Sequence, residues 1–352
     1  MPRPWKSCLV GCGRMGATID DEVCTRPDSQ NYLPYSHAAG HVAAEGDTLV
    51  AVSDALADKA ETIRQRYGAE RAYTDYREMI EKEKPDILSI ATRPTPYAEI
   101  CIFAAEHGVK GIYCEKPLAR SLEEADRMVE ACERNGVKFN YGTQRRYAPM
   151  YRKMRDLIDA GELGDIRCVV AYGAPSAAFW GLTHATDMIL CLAGDAEIDF
   201  VQGSIVVKDE NWESSTRLNV DPTVTSGYAQ FKNGVRGYLV SGSRWEFEVI
   251  GTKGTLRSRT NGLGCEWRRE CGPNVLPETV PFPEYEPRSG TLCLVDDLVG
   301  ALDTGGDTLG PIQLARRSFE MMVGFIESSR QGGARVPVPV ANRALYIGPE
   351  TW

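Results

Sequence analysis

The chain has 352 residues, of which 43% are hydrophobic and 25% are charged, and its formal net charge at pH 7 is −9. This length allows two domains of ordinary size, since one domain usually contains about 100–200 residues. The negative charge, without a dense run of lysine and arginine, argues against a nucleic-acid-binding protein. No segment approaches the ~20 apolar residues of a membrane span, and the N-terminus lacks an apolar signal core, so we expect a cytoplasmic protein.

The cysteines and histidines indicate no metal site. The 11 cysteines include no Cys-x-x-Cys pair, which is typical of reduced thiols and not of a disulfide framework or a zinc site. Only His37 and His41 have a spacing that would place two histidines on one helix face, and the sequence places no carboxylate or third ligand beside them. We therefore expect both histidines to have a structural or surface role.

The first predicted strand, Ser7–Val10, leads directly into a glycine-rich loop and a possible helix start. In a dinucleotide-binding loop the first glycine makes a tight turn, the second lets the backbone approach the pyrophosphate, and the third allows close helix–strand packing. A second strand, Thr48–Asp54, ends in an acid that can accept hydrogen bonds from the adenosine ribose. The predicted loop consists of Gly11, Cys12, Gly13, Arg14, Met15 and Gly16.

The spacing between the two parts of this fingerprint is unusual. Asp54 lies 38 residues beyond Gly16, whereas about 20 residues are usual. Residues 20–36 are polar, contain two prolines and show no apolar period, so they predict an inserted loop, with helix resuming near His37. The loop either shapes the substrate mouth or is an ordinary surface excursion.

Asp54 also bears on the choice of cofactor. Its carboxylate would repel the 2′-phosphate of NADP, and Ala55 and Leu56 supply no arginine that could bind this phosphate. The sequence therefore favours NAD over NADP.

Helices and strands alternate over the following residues. Repeated β-α-β units imply a parallel sheet covered on both faces. Ser121 and Glu124 form a predicted capping box at the start of one helix. The predicted helices are 58–67, 97–107 and one that begins at Ser121, and the predicted strands are 86–91, 112–114 and 137–141.

The strand at 112–114 ends at Glu115 and Lys116, which are followed by a proline. Ligands of open α/β sheets bind outside the carboxyl ends of the strands, so a lysine held at this edge is a candidate for catalysis. The alternative is an ordinary lysine in a surface turn. Thr92 and Arg93 end a neighbouring strand beside the same crevice and, with Glu115 and Lys116, are predicted to contact the cofactor.

The C-terminal half is rich in predicted strands between residues 166 and 257, and helices are predicted at 150–160, 291–302 and 311–330. Asn233-Gly234 is a strong hairpin signal between two β-rich runs. An open sheet of this kind exposes one face that needs covering, so we expect a homodimer or homotetramer.

A predicted helix in this half carries a candidate base. Thr183 is its predicted N-cap, and the apolar period places His184 and Asp187 on one face, three residues apart. A buried carboxylate beside an imidazole fixes its tautomer and supports the imidazolium form, which suits a base. The alternative is a structural histidine satisfied by its helix neighbour.

Taken together, these motifs resemble the glucose–fructose oxidoreductase, inositol dehydrogenase and MocA family from about residue 6 to about residue 345. The resemblance implies an α/β protein with an N-terminal Rossmann domain and parallel sheet at residues 1–143. It also implies a C-terminal α+β domain at residues 144–352, with a large open, mainly antiparallel sheet that often forms the oligomer interface. The motifs are Gly11–Gly16, the strand ending in Asp54, Cys114–Pro117, Gln144–Tyr147 and Gly251–Thr255.

The resemblance further implies oxidation of a secondary hydroxyl of a sugar, cyclitol or glycoside, with hydride transfer to NAD. In this interpretation Lys116 is catalytic and stabilises the alkoxide, His184 takes the hydroxyl proton, and Asp187 supports His184. The Lys116–Pro117 peptide is expected to be cis. Rival interpretations are a lyase, epimerase or glycosidase that recycles tightly bound NAD, and a non-catalytic dinucleotide-binding sensor.

One residue departs from the family pattern. Trp180 stands where many relatives carry an aspartate one helical turn before the histidine. Trp180 could stack on a sugar or an aromatic aglycone, or pack in the second core. The predicted substrate-binding residues are Lys116, Tyr141, Gln144, Arg146, Tyr172, Trp180, Thr183 and His184.

Overall fold

The computed structural model describes residues 4–242 and 245–352. Six parallel strands form the N-terminal sheet in the order β3-β2-β1-β4-β5-β6. The apolar strands are buried on both faces, as expected for a parallel sheet covered by helices. The strands are β1 Trp5–Val10, β2 Asp47–Ser53, β3 Arg71–Tyr73, β4 Ile87–Ile90, β5 Gly111–Cys114 and β6 Lys138–Tyr141.

Six helices accompany this sheet, and the order of strands and helices confirms the predicted Rossmann-type architecture. Ser121 accepts a hydrogen bond from the amide of Glu124, and the Glu124 carboxylate accepts one from the amide of Arg120, one residue before the expected donor. The helices are α1 Asp20–Val23, α2 His37–Ala43, α3 Ala57–Tyr67, α4 Tyr76–Glu83, α5 Tyr97–Glu106 and α6 Leu122–Asn135.

The predicted irregular loop at residues 20–36 was partly wrong, because it contains α1 and a 3₁₀ turn at Ser29–Asn31. The Asp20 carboxylate accepts hydrogen bonds from the amides of Tyr35 and Ser36, at 2.8 and 3.0 Å. These bonds tie the two ends of the excursion together, so the chain enters α2 from a fixed position. Helix resumes at His37, as predicted.

The C-terminal half contains a ten-stranded, mostly antiparallel sheet, as expected, with one parallel pair between β7 and β13. The predicted hairpin at Asn233-Gly234 joins β12 to β13, and Gly234 has φ +89°. The strands of this half are β7 Ile166–Ala174, β8 Ser176–Ala177, β9 Ile198–Val206, β10 Trp212–Ser214, β11 Arg217–Leu218, β12 Thr223–Phe231, β13 Arg236–Ser241, β14 Glu246–Gly251, β15 Gly254–Arg259, β16 Gly264–Arg269, β17 Glu278–Val280, β18 Val336–Pro337 and β19 Tyr346–Ile347.

Five further helices complete the fold: α7 Pro149–Asp159, α8 Ala178–Gly181, α9 Thr183–Leu192, α10 Gly290–Thr304 and α11 Ile312–Arg330. Helix α10 returns to the N-terminal sheet, where Asn140 of β6 donates hydrogen bonds to the Leu294 carbonyl and the Asp297 carboxylate. A division after residue 143 therefore leaves one helix of the C-terminal half on the N-terminal sheet. In the described ranges no helix is long and apolar enough to cross a membrane.

Helix α11 covers one face of the large sheet, and two glycines set how closely it approaches. A Cβ atom at Gly203 of β9 would lie 2.5 Å from the Cβ of Phe325, and one at Gly227 of β12 would lie 2.6 Å from the Phe325 ring. Phe325 is 1% exposed, so it has no free space into which it could move. Gly203 therefore leaves space for the Cβ and backbone of Phe325, and Gly227 leaves space for its ring.

Gly203→Ala should lower the free energy of unfolding by about 1–3 kcal/mol, because an added methyl group overpacks the contact between β9 and α11. The measurement is urea-induced unfolding. Gly264→Ala is the matched control, since a Cβ at Gly264 of β16 meets no atom within 4 Å. Equal stability of the two variants would contradict this account of the packing.

Candidate active site

The glycine-rich loop follows β1 and has the form of a phosphate-binding turn. Gly11 has φ +97°, and a Cβ there would lie 2.6 Å from the Ala91 carbonyl. A Cβ at Gly16 would lie 1.9 Å from the Gly11 oxygen, whereas one at Gly13 would meet only Lys59 Nζ, at 3.7 Å. Gly11 and Gly16 are thus required by the packing of the chain itself, and Gly13 leaves the backbone open to a ligand. The loop fits a dinucleotide.

Two of the loop residues predicted to contact the cofactor contact only the protein itself. The Cys12 side chain is buried, with its thiol 3.7 Å from the Ser53 carbonyl, and Gly16 packs against Gly11. The Cys12 amide donates a hydrogen bond to Asp54 Oδ2 at 3.0 Å. Cys12 and Gly16 therefore shape the loop, while Gly11, Gly13, Arg14 and Met15 line the cleft beside it.

Asp54 lies at the end of β2, as predicted, but a cation accompanies it. Asp54 Oδ1 accepts a hydrogen bond from the Leu56 amide at 3.1 Å, and Lys59 Nζ lies 3.2 Å from Oδ2. The prediction of cofactor preference rested only on Ala55 and Leu56, and Lys59 was missed. Its position in the first turn of α3, five residues after Asp54, was the signal that could have revealed it.

A cleft of about 820 Å³ runs from this loop to the C-terminal half. This volume lies within the range of about 300–1,000 Å³ that is typical of ligand sites. Lys116 and His184, which are far apart in the sequence, lie on its wall. The predicted residues that line it are Gly11, Gly13, Arg14, Met15, Asp54, Thr92, Arg93, Glu115, Lys116, Gln144, Trp180 and His184.

Lys116 stands at the carboxyl edge of the N-terminal sheet, directly after β5 and Glu115. Its Nζ donates a hydrogen bond to the Trp180 carbonyl at 2.8 Å and lies 4.7 Å from the centre of the Trp180 ring. Burial lowers the pKa of Lys116, and the nearby carboxylates Glu115 and Asp221 oppose this shift. The Lys116–Pro117 peptide is cis, as predicted.

Trp180 is 61% exposed, so it is not part of the second core. Its amide and that of Phe179 each donate a hydrogen bond to the Asp221 carboxylate at 2.9 Å, while its carbonyl accepts from Lys116. Burial raises the pKa of Asp221, opposed first by these backbone hydrogen bonds. A carboxylate thus approaches Lys116 from the segment before β12, and no local sequence pattern identified it.

His184 lies on α9 without the carboxylate partner that was predicted. Its Nδ1 is buried and has no hydrogen-bond partner among the described residues, and its ring meets the Trp245 ring edge-on at 5.3 Å. Burial lowers the pKa of His184 well below its usual value, and the cations Arg145 and Lys116 lower it further. The expectation that its surroundings support an imidazolium was wrong.

The Asp187 carboxylate binds Arg146 instead of His184. Arg146 Nη2 and Nε lie 2.9 and 3.1 Å from Asp187 Oδ1, and Arg146 Nη1 lies 2.9 Å from Asp195 Oδ1. Arg146 is 2% exposed, and a buried cation needs such counter-charges. Asp187 and Arg146 therefore hold α9 against the 3₁₀ turn Gln144–Arg146, and neither lines the cleft.

Three other predicted positions also lie outside the cleft wall. Tyr141 is buried in β6, and Tyr172 lies on the large sheet, where it donates a hydrogen bond to Glu248 at 2.6 Å. Thr183 is the first residue of α9 and not its N-cap; Leu182 holds that position. A side-chain cap is not needed there, because the turn α8 leads directly into α9 and Leu182 supplies a carbonyl to the amides of Ala185 and Thr186.

A second cavity of about 200 Å³ adjoins the cleft and shares Tyr35 and Gln144 with it. The inserted segment contributes Asn31, Tyr32 and Tyr35 to the wall of this cavity, and Arg26 and Tyr35 to the wall of the cleft. Arg145, which was not predicted, also lines the cavity and lies with its guanidinium 4.1 Å from the centre of the Trp245 ring. Of the two adjacent arginines, Arg145 faces this cavity and Arg146 is buried in the interior.

His37 and His41 also differ from the prediction that no carboxylate lies beside them. Both are fully buried; His37 Nε2 lies 3.3 Å from Glu115 Oε1, and His41 Nδ1 lies 2.5 Å from Asp47 Oδ2. No group of three or more metal-binding side chains occurs within the described ranges.

Comparison with known proteins places these features in context. Residues 6–143 match a family model described as an oxidoreductase family with an NAD-binding Rossmann fold. The chain is 32% identical over 244 residues to scyllo-inositol 2-dehydrogenase (NAD(+)) of Bacillus subtilis, covering 64% of this chain and 70% of that protein. It is 28% identical over 228 residues to myo-inositol 2-dehydrogenase of Thermotoga maritima, covering 59% of this chain and 66% of that protein.

The fold has also been seen in solved structures. Scyllo-inositol dehydrogenase from Lactobacillus casei, with bound NAD(H) and scyllo-inositol, matches with a TM-score of 0.69 and 18% identity, covering 96% of this chain and 99% of that one. At this identity the match shows a shared fold.

The His184 ring should stay neutral until the pH falls well below 6.5, because burial and two cations oppose its protonation. Lys116→Ala or Arg145→Gln removes one of these cations and should move the titration upward, towards the ordinary value. NMR titration of ¹⁵N-histidine-labelled protein measures this, and the exposed His107 serves as the internal control. A wild-type ring that titrates at or above pH 6.5 would show that the cations do not act on it.

Proposed function

Because the chain belongs to the glucose–fructose oxidoreductase, inositol dehydrogenase and MocA family, we propose that it is an NAD-dependent dehydrogenase. Its substrate is a sugar, cyclitol or glycoside, of which one secondary hydroxyl is oxidised to a ketone. The observation that carries this proposal is that Lys116 and His184 line the same cleft as the open Gly13 backbone and Asp54. A dinucleotide and a polyol can therefore meet between the two halves of the chain.

In this proposal the chain binds the cofactor through its N-terminal half. The Gly11–Gly16 loop holds the pyrophosphate and Asp54 accepts hydrogen bonds from the adenosine ribose. Bound NAD supplies a nicotinamide ring whose C4 accepts a hydride. Thr92, Arg93 and Glu115 stand at the same edge of the sheet and orient the other end of the cofactor.

Lys116 and His184 act on the hydroxyl of the substrate. Lys116 donates a hydrogen bond to the oxygen and stabilises negative charge as it develops, a role for which a partly desolvated cation is suited. His184 takes the hydroxyl proton through its neutral ring. Burial and the cations Arg145 and Lys116 disfavour the protonated ring, so the resting ring is neutral and can accept this proton.

Asp187 has an indirect role in this proposal. Its ion pair with Arg146 fixes α9 and so sets the position of His184. Asp221 holds the Trp180 peptide, which in turn holds Lys116 Nζ. These two carboxylates orient the site from behind, and the ring of Trp180 is left exposed to stack on the substrate.

We include in the same proposal a homodimer or homotetramer formed through the face of the large sheet that lies opposite α11. Phe200, Tyr228 and Tyr238 lie together there, with ring centres 5.8 and 5.3 Å apart, and all three are half-buried. Aromatic side chains of this kind are typical of buried interfaces. The supporting observation is this cluster on a face that α11 does not cover.

Lys116→Ala should lower kcat on the order of 10²-fold or more and leave the affinity for NAD nearly intact, because it removes stabilisation of the alkoxide. The measurement is NADH formation in a screen of sugars, cyclitols and glycosides, followed by kinetics on the best substrate. Lys110→Ala, at an exposed lysine paired with Asp86, is the matched control.

Equal turnover of Lys116→Ala and wild type would remove Lys116 from the mechanism. Substrate conversion without added NAD and without accumulation of NADH would instead favour a lyase, epimerase or glycosidase that recycles its cofactor. Binding of NAD without turnover of any polyol would favour a sensor.

Wild-type protein should prefer NAD to NADP, because the Asp54 carboxylate repels a 2′-phosphate. Asp54→Asn removes this repulsion and frees Lys59 to meet the phosphate, so kcat/KM for NADP should rise about tenfold or more. Steady-state kinetics with both cofactors measures this. Adding Lys59→Met to Asp54→Asn should reverse most of the gain, and a wild-type preference for NADP would contradict the assignment.

A further inference from the structure

Five buried polar side chains connect the cleft to the opposite end of the N-terminal sheet, and we name them the histidine chain: Glu115, His37, Ser89, His41 and Asp47. His37 and His41 lie one turn apart on α2, and Ser89 of β4 lies between their rings. The rings and Ser89 are 0% exposed. The chain begins at Glu115 on the cleft wall and ends at Asp47, the first residue of β2.

Four hydrogen bonds join the five groups in a line. Glu115 Oε1 lies 3.3 Å from His37 Nε2, and His37 Nδ1 lies 3.1 Å from Ser89 Oγ. Ser89 Oγ lies 2.6 Å from His41 Nε2, and His41 Nδ1 lies 2.5 Å from Asp47 Oδ2. Each histidine ring makes two contacts through its two nitrogens, and Ser89 makes two contacts through its Oγ.

A count of protons constrains the charge of this chain. Each of the four contacts needs one proton between its two atoms. Two neutral imidazoles and one hydroxyl supply one proton each, and two ionised carboxylates supply none. These groups supply three protons for four contacts, so all four hydrogen bonds can form only if the histidine chain holds one additional proton.

The surroundings indicate where this proton lies. Both carboxylates use their second oxygen to accept a backbone amide, from Lys116 at 3.1 Å and from Thr48 at 2.7 Å, which favours their ionised forms. The additional proton therefore belongs to an imidazole. The two contacts of His41 are shorter than the two contacts of His37, as expected for charge-assisted hydrogen bonds.

We infer that the histidine chain carries one imidazolium, which is His41 in the resting protein, and that His37 is a positioning residue that holds Glu115 beside Lys116. The first part concerns the folded protein alone, and the second part rests on the proposed function. Burial lowers the pKa of His37, which agrees with a neutral ring at that position.

The arrangement allows the positive charge to move towards the cleft without any exchange with solvent. His41 Nε2 gives its proton to Ser89 Oγ, while Ser89 gives its own proton to His37 Nδ1. Two bonds to hydrogen break and two form, and the proton count of the chain is unchanged. The oxidised nicotinamide ring is positively charged and its reduced form is neutral, so a charge shift towards Glu115 would compensate for this loss.

Other titratable groups face the chain from the elements packed on it. Tyr113 of β5 stacks on His37 with ring centres 3.6 Å apart, and Tyr97 of α5 lies near Glu115; burial raises the pKa of both tyrosines. Lys116 lies beside Glu115 at the cleft end. Near Asp47, Cys8 of β1 has a pKa that burial raises, so this thiol stays neutral.

The number of protons on the histidine chain can be measured directly by NMR, because the whole protein has only four histidines. In ¹⁵N-histidine-labelled protein without cofactor at pH 7.5, three of the four ring nitrogens of His37 and His41 should be protonated. His37→Gln and His41→Gln assign the signals. Two protonated nitrogens, one on each ring, would overturn the inference.

Ser89→Ala interrupts the chain, and Ser7→Ala is its matched control, because Ser7 Oγ on β1 is buried in the same sheet and has no partner among the described residues. In Ser89→Ala the count should fall to two, whereas Ser7→Ala and the hydroxyl-retaining Ser89→Thr should keep three. An unchanged count in a folded Ser89→Ala protein would contradict the role of the hydroxyl.

The positioning role is tested with the loaded enzyme. Ser89→Ala should lower kcat about tenfold, less than the 10²-fold or greater loss expected on removing a catalytic group, with KM for NAD unchanged and the rate restored in Ser89→Thr. In wild type the His37 signals should differ between the NAD and NADH complexes, and in Ser89→Ala they should not. If kcat of Ser89→Ala equals that of wild type, the positioning role fails, while the proton count is unaffected. If no polyol is oxidised at all, the proposed function fails. The NMR count without cofactor then still decides whether the histidine chain carries one imidazolium.

Discussion

The parallel pairing of the N-terminal strands is the constraint on which the site depends. Because β1, β2, β4 and β5 run in one direction, the residues that follow them, Gly11, Asp54, Thr92 and Glu115, all meet at one edge. The same pairing fixes the inner end of the site, since Ser89 on β4 lies within reach of α2, which packs over the sheet. One strand arrangement thus positions both the open cleft and the polar side chains buried behind it.

The cleft concentrates positive charge around a neutral ring. Lys116 and Arg145 both act on His184, and the nearest acids, Glu115 and Asp221, accept hydrogen bonds from backbone amides. These hydrogen bonds hold the two acids in place, and both acids act on Lys116 and oppose the lowering of its pKa. In the proposed reaction such a site would stabilise negative charge that develops on a bound oxygen, because its dipoles and charges are oriented before the ligand arrives.

The alternation of elements, the glycine loop and Lys116 could be predicted because each depends on a local pattern. The partners of individual side chains could not. Helical spacing correctly placed His184 and Asp187 near one another along α9, yet it contained no information about Arg146, which is 41 residues away in sequence and takes the carboxylate. Asp221 was missed because it follows no motif. Lys59 was missed although the predicted helix 58–67 already placed it close to Asp54.

The histidines show why partners matter more than burial. His37 and His41 are fully buried, and His184 is half-buried on the cleft wall. Burial disfavours the charged form of all three rings. Within residues 4–242 and 245–352 His184 Nδ1 has no hydrogen-bond partner, and two nearby cations further disfavour the charged ring. His41 stands between the Asp47 carboxylate and the Ser89 hydroxyl. The histidine chain makes four contacts, whereas two neutral rings and one hydroxyl supply only three protons, and His41 carries the fourth. Burial by itself therefore does not set the charge of these rings; their hydrogen-bond partners and the neighbouring charges do.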